Sequence, residues 1–189
     1  ECKLTSLIVC KGSDVPSGAI SVKMSNMLIG TRALSVYRKY GTVYISTLRS
    51  NSVVAPPDSS RMFADRTEYT SITFTSFDTS LVTYMSYMFS GTKISSIVLT
   101  SFKTATVFKM DGMFANSSFT SLNLSSFDTS RVTDFSDMFK NCSKLTSVDI
   151  SNFSVESNPN REGMFEGCTA LKSIKVGENW AFDGSENLP

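Results

Sequence analysis

Apolar residues return at a fixed interval over residues 62–165. A Met-Phe pair stands at Met62-Phe63, Met88-Phe89, Met113-Phe114, Met138-Phe139 and Met164-Phe165, with spacings of 26, 25, 25 and 26 residues. Phe77, Phe102, Phe127 and Phe153 each precede the next Met-Phe by 11 residues. A turn follows each pair, then an apolar-x-x-apolar-x-apolar motif: Tyr69/Ile72/Phe74, Ile94/Ile97/Leu99, Phe119/Leu122/Leu124, Leu145/Val148/Ile150 and Leu171/Ile174/Val176. The last two members of each triplet are two apart, which puts both side chains on one face of a short strand. A polar corner such as Asp78-Thr79-Ser80 comes next, and after it the interval changes. Val82, Met85, Met88 and Phe89 fall at i, i+3, i+6 and i+7, as do Val107, Met110, Met113 and Phe114, and Val132, Phe135, Met138 and Phe139. This spacing predicts one stripe of a short helix or 3₁₀ stretch, with the corner supplying N-cap oxygens.

Self-similarity at such a period is the signature of stacked units, none of which can bury its apolar face alone. The expected fold is an α/β repeat solenoid in which each coil is a short parallel strand plus a short helical turn. Its strands would form one parallel sheet, stepping about 4.8 Å per coil. Residues 1–60 read as a β-rich N-terminal cap, residues 61–182 as the solenoid and 183–189 as a C-terminal tail. Within the cap, Lys3 to Val9 and AISVKM (from Ala19) read as strands, and Ala33 to Leu48 as two strands around Lys39-Tyr40-Gly41. The unit beginning at Phe153 departs from the pattern. Asn158 and Arg161 stand where other units have apolar residues, and Pro159 forbids a helix interior. That side is expected to loosen into a loop, with Trp180 and Phe182 covering the last coil.

The segments FDTSLVTYMSYMFSGTKISSIVL (from Phe77), FDTSRVTDFSDMF (from Phe127) and KNCSKLTSVDISNF (from Lys140) resemble the repeat of BspA-like leucine-rich-repeat bacterial surface proteins, a repeat also found in mycoplasma surface lipoproteins. The likeness covers residues 60 to 182. It implies right-handed leucine-rich-type coils on a bacterial cell surface, and roles in adhesion and in host or neighbour contact.

The bulk composition removes several alternatives. Apolar residues make up 41% and charged residues 19% of the 189, the range of a folded chain. A net charge of +1 without a run of Lys or Arg argues against nucleic acid as a partner. No apolar run approaches the roughly 18 residues of a membrane span. Histidine is absent, which removes His-dependent triads and the common zinc ligand sets. No cofactor and no metal are expected, and no enzymatic activity.

The remaining candidate chemistry lies in rows. Ser71, Ser96, Ser121, Ser147 and Ser173 each stand just before the central apolar residue of a strand motif. Thr73, Val98, Asn123, Asp149 and Lys175 sit between the two inward residues and must face the other way. A flat sheet carrying Ser71, Thr73, Ser96, Ser121, Asn123, Ser147, Asp149, Ser173 and Lys175 could hold a protein strand or a glycan; small residues in these slots also suit tight stacking with cross-strand hydroxyl bonds. Asp78 and Asp128 share a slot with Lys103, which favours capping over a calcium ladder. Cys142 and Cys168 occupy one slot four residues after the Met, close enough in stacked units for a disulfide, and read foremost as buried free thiols. Cys2 and Cys10 flank a strand, where an exported protein could form a disulfide. Asn-x-Ser/Thr at Asn116, Asn123, Asn141 and Asn152 arises readily in such a composition. The expected function is a monomeric, extracellular interaction module that contacts a host or neighbouring-cell surface protein or glycan. A carbohydrate-binding module and a structural spacer are its rivals; exposed aromatics on the sheet face would favour the former.

Overall fold

The computed structural model describes residues 6–10, 14–21, 35–39, 42–46 and 53–189. Its strands are β1 (Ser6–Val9), β2 (Ile20–Ser21), β3 (Ser35–Lys39), β4 (Thr42–Ser46), β5 (Val53–Val54), β6 (Ser71–Phe74), β7 (Phe77–Asp78), β8 (Ser121–Asn123), β9 (Ser147–Ile150) and β10 (Ser173–Val176). They form a five-stranded sheet in the order β2-β3-β4-β1-β6, a three-stranded sheet β10-β9-β8 and a two-stranded sheet β5-β7. The β3–β4 pair is antiparallel with Lys39 opposite Thr42, so the two strands expected around this point are present. Tyr40, Gly41, Cys2 and the residues expected to continue β2 lie outside the described residues.

The expected α/β solenoid with helical turns is not what forms. No α-helix occurs among the described residues, and the strands are short and divided among separate sheets. The reason lies in the Met-Phe stretch. Val82, Met85, Met88 and Phe89 are all fully buried, as their spacing requires, but the backbone that buries them is a run of tight turns. Met88 N–H donates to Met85 O and Ser90 N–H to Tyr87 O, each a three-residue closure. The residues between them donate outward instead. Met85, Tyr87, Phe89 and Gly91 give their N–H groups to Lys109, Asp111, Met113 and Ala115, one unit further on. The i→i−4 ladder of a helix has no donors left.

Left-handed residues enforce this path. The position before each Met has positive φ at Arg61, Tyr87, Gly112, Asp137 and Gly163, and so does the second position after each Phe, at Asp65, Gly91, Asn116, Asn141 and Gly167. A right-handed helix cannot run through such residues. In the turn closed by Met85 and Met88, Tyr87 holds the third position, where a type II turn requires positive φ.

The polar corners also differ from the expected helix caps. Asp78 accepts the N–H of Ser80 at 3.1 Å, and Asp128 accepts from the N–H and hydroxyl of Ser130 at 3.0 and 2.7 Å. Asp58, Asp134 and Asp149 make the same two-residue closure to Ser60, Ser136 and Ser151. These are Asx turns, in which the carboxylate stands in for a backbone carbonyl. Between them, Thr79, Thr104 and Thr129 turn inward. Thr79 Oγ1 both donates to Lys103 O and accepts from Lys103 N–H, tying one unit to the next.

Equivalent residues of successive units lie side by side and parallel. Asp58, Tyr84, Lys109, Asp134 and Asn160 form a continuous series of parallel bridges. In the interior, Phe63, Phe89, Phe114, Phe139 and Phe165 stack in one column, with successive centroids 5.4, 5.8, 5.7 and 5.2 Å apart. Their rings are within 10° of parallel, an offset stack suited to the spacing of the backbones. The unit expected to loosen holds its place: Asn160 bridges Asp134, and Arg161 stays buried.

The amino-terminal segment enters the same arrangement. β1 lies between β4 and β6, parallel to both, with Leu7 opposite Ile72 and Val9 opposite Phe74. Lys3-Leu4-Thr5-Ser6-Leu7-Ile8-Val9 repeats the order of Lys144-Leu145-Thr146-Ser147-Val148-Asp149-Ile150, the strand motif of a later unit.

Three outcomes follow from this packing. Phe114→Ala should lower unfolding free energy by about 3 to 5 kcal/mol in urea titrations, as for other fully buried aromatics. Gly112→Ala should destabilise as well, because a Cβ there would stand 2.2 Å from the Tyr87 ring and φ is +57°; adding Tyr87→Ala should recover part of the loss. The Asx-turn hydrogen bonds from Ser60 and Ser130 hold Asp58 and Asp128 below the ordinary 3.8. Their contribution to stability is complete above about pH 4 and disappears as pH falls through the depressed values. The urea midpoint should therefore be level from pH 7 to pH 5 and drop toward pH 2.

Candidate functional site

The hydroxyl row is real in register but divided between sheets. Ser121, Ser147 and Ser173 are direct neighbours across β8, β9 and β10, and so, two residues on, are Asn123, Asp149 and Lys175. Ser71 and Thr73 belong to the other sheet, opposite Ser6 and Ile8 of β1. Ser96 and Val98 lie in no strand, so the second unit separates the two patches. The structure thus brings six of the nine expected residues together and places Ser71, Thr73 and Ser96 apart from them.

Within the larger patch, Ser121 and Ser173 are exposed and Ser147 half-buried. Their side chains follow from strand alternation: Leu122 and Val148 turn into the core, so the flanking serines turn out. The smaller patch is already occupied internally, since the Ser71 hydroxyl donates to Ser6 Oγ at 3.1 Å. Asn123 is fixed by an Asx turn to Ser125, with Ser125 N–H and Oγ at 3.0 and 2.7 Å. Asp149 accepts from Ser151 N–H at 3.0 Å and pairs with Lys175 Nζ at 2.9 Å. Burial raises the Asp149 carboxyl, but these hydrogen bonds outweigh it and leave the group below its usual range. The Asp149–Lys175 pair cancels its own charge, so the face offers hydrogen-bonding groups on a neutral ground.

Val98 is 72% exposed, the most exposed large apolar side chain among the described residues, and no aromatic joins it in these rows. Exposed aromatics lie instead on the turn stretches. Tyr84 is 42% exposed. Phe108 is half-buried beneath the Arg131 guanidinium, 4.6 Å from its ring centroid. The Tyr87 ring rests against Gly112, with Arg61 5.7 Å from its centroid. Burial, then the charges of Asp111 and Asp137, push the Tyr87 phenol up, keeping it a neutral donor. Sequence reasoning treats these positions as part of a helical turn and misses them; the tell is aromatic residues at slots where other units have Lys109 and Asp134, Thr83 and Thr133, or Gly112 and Gly163.

Asp78 and Lys103, which share a slot in adjacent units, form a 3.3 Å pair along the row. Asn141 Nδ2 likewise donates to Asn116 Oδ1 at 3.1 Å. Cys10, Cys142 and Cys168 are free and buried. Cys142 Sγ donates to Phe114 O and Cys168 Sγ to Phe139 O, both at 3.0 Å. Contact with Cys142 together with burial pushes the Cys168 thiol well up, so it stays protonated. Among the described residues, no group of three or more Cys, Asp or Glu is placed to hold a metal ion, and no helix is long and apolar enough to cross a membrane.

No curated protein and no solved structure matches the chain. A family described as "Mycoplasma protein of unknown function, DUF285" matches residues 57–180, well over half of the sequence. The matched span begins at the corner that precedes Met62-Phe63 and ends at Trp180, so it takes in every Met-Phe stretch, the Asx corners and sheet β8–β10. By that match the chain belongs to the Mycoplasma protein family DUF285.

Proposed function

We propose that the chain is a non-enzymatic interaction module of a bacterial cell surface, of the BspA-like kind, and that it binds a host or neighbouring-cell surface protein through the outer face of β8–β10. The observation that carries this reading is the in-register row Ser121, Ser147 and Ser173, whose hydroxyls make no hydrogen bond within the described residues. The contrast with Thr79, Thr104 and Thr129 is informative. Those hydroxyls are buried and committed to the carbonyls or amides of the adjacent unit. Small hydroxyls held at strand spacing on a rigid sheet cost a ligand little ordering entropy. Membership of a Mycoplasma family agrees with a bacterial source, and the BspA-like resemblance supports the surface location.

A glycan is the second reading, and it rests on a different residue. Tyr84 on a turn stretch, 42% exposed, offers an aromatic ring of the sort sugars pack against.

Purified protein should be screened against extracellular proteins and a glycan array, alongside a Ser121→Lys/Ser173→Lys variant and a Tyr84→Ala variant. The expected result is a protein ligand whose binding falls at least about tenfold in the lysine variant, with circular dichroism unchanged. Binding that survives the lysines but is lost with Tyr84→Ala would transfer the site to the turn stretches. Failure to bind any surface protein or glycan would overturn the interaction reading.

A further inference from the structure

The buried slot that holds Met85, Met110 and Phe135 holds Arg161 in the last unit, where it is only 7% exposed. Its side-chain hydrogen bonds and ion pairs among the described residues all go to residues 181–186. The guanidinium meets the carbonyl of Ala181 and the carboxylates of Asp183 and Glu186, the last at 2.8 Å. It also lies 5.4 Å from the ring centroid of Trp180, which in turn packs edge-on to Phe135 and Phe153. Glu186 is itself fully buried, and its second oxygen accepts the N–H of Gly184 at 3.0 Å. The backbone completes the contact: Gly163 N–H donates to Ser185 O and Phe165 N–H to Glu186 O, at 2.9 and 2.8 Å. Elsewhere those two positions donate to the following unit, as Phe114 does to Met138 and Phe139 to Met164.

We propose that residues 180–187 are a strap that opens and closes on the last unit independently of the remaining chain, with the Arg161–Glu186 pair as its catch. Two features point to a closed state poised to open. Among the described residues Arg161 Nε and Trp180 Nε1 are buried without a hydrogen-bond partner, and opening returns water to both. A buried ion pair adds little net stability, because separation restores the hydration of both charges. The family match ends at residue 180, so the partners Arg161 finds at 181, 183 and 186 lie beyond the family's shared span. When the strap is open, Gly163 and Phe165 present the donors that interior units use for stacking.

Native-state hydrogen exchange read by NMR tests this on the whole chain. The amides of Gly163 and Phe165 should exchange together, at least about tenfold faster than those of Phe114 and Phe139, and without dependence on urea at low concentration. Glu186→Gln should speed Gly163 and Phe165 by at least another tenfold or so while leaving Phe114 unchanged. Fluorescence of Trp180, the single tryptophan, should shift to the red in that variant. Equal protection of the two pairs in the unaltered protein would overturn the proposal. So would a variant in which Phe114 accelerates as much as Phe165, since the strap would then be one cooperative unit with the stack. The comparison in the unaltered chain decides the matter even where the variant does not fold.

Discussion

Along each Met-Phe stretch the backbone amides are shared out in strict alternation. One residue closes a tight turn on its own chain, and the next reaches across to the adjacent unit, as with Met88 and Phe89 or Met113 and Phe114. A unit standing alone would leave every second amide of a buried segment without a partner, a cost that a small apolar core cannot offset. The neighbour is therefore required by the main chain before side chains are considered. Side chains then follow the pitch the backbone sets. The phenylalanine column runs through Phe63, Phe89, Phe114, Phe139 and Phe165 because each ring inherits the spacing of the hydrogen bond beside it. The buried threonines of the corners link successive units a second time.

The division between inside and outside was legible in the apolar spacing, because spacing reports which side chains are buried. It does not report the handedness of the backbone that buries them. Positions i, i+3, i+6 and i+7 fit a helical stripe, and they fit two successive turns equally well. The distinguishing signal was partly present: Asp65, Gly91, Asn116, Asn141 and Gly167 are residue types that tolerate positive φ. In the companion slot Arg61 and Tyr87 carry no such mark, and tertiary packing holds them there. The rows of the candidate face were readable from strand alternation, but their division was not. Ser96 and Val98 match the motif and still form no ladder, for which the structure offers no local reason. Arg161 misled in another way. A charged residue in an apolar slot argues for a local break unless its partner is known, and the partner, Glu186, lies 25 residues on, in a tail with no periodic pattern.

Serine and threonine fill two unlike duties here. Thr79 and Thr104 are part of the interior wiring, each hydroxyl bonded between units. Ser121, Ser147 and Ser173 are outside, on a sheet whose inner face is packed and whose strands are pinned by Asx turns at Asn123 and Asp149. The first set ties unit to unit, and the hydroxyls of the second make no hydrogen bond among the described residues. The same residue type is chosen in both because it is short enough to follow the backbone pitch without strain.

The contact between Tyr87 and Gly112 has a consequence for how such a chain can change over generations. The tyrosine ring fills the space that a Cβ on the next unit would take, and Asp65 stands in the same relation to Gly91, Asp137 to Gly163 and Asn141 to Gly167. Elsewhere in the same two slots side chains do meet, Arg61 beside the Tyr87 ring and Asn116 hydrogen-bonded to Asn141. Adjacent units are therefore held to complementary pairs at these positions, either a side chain over a glycine or two side chains that make a favourable contact. A substitution in one unit thus limits which residues its neighbour can acquire.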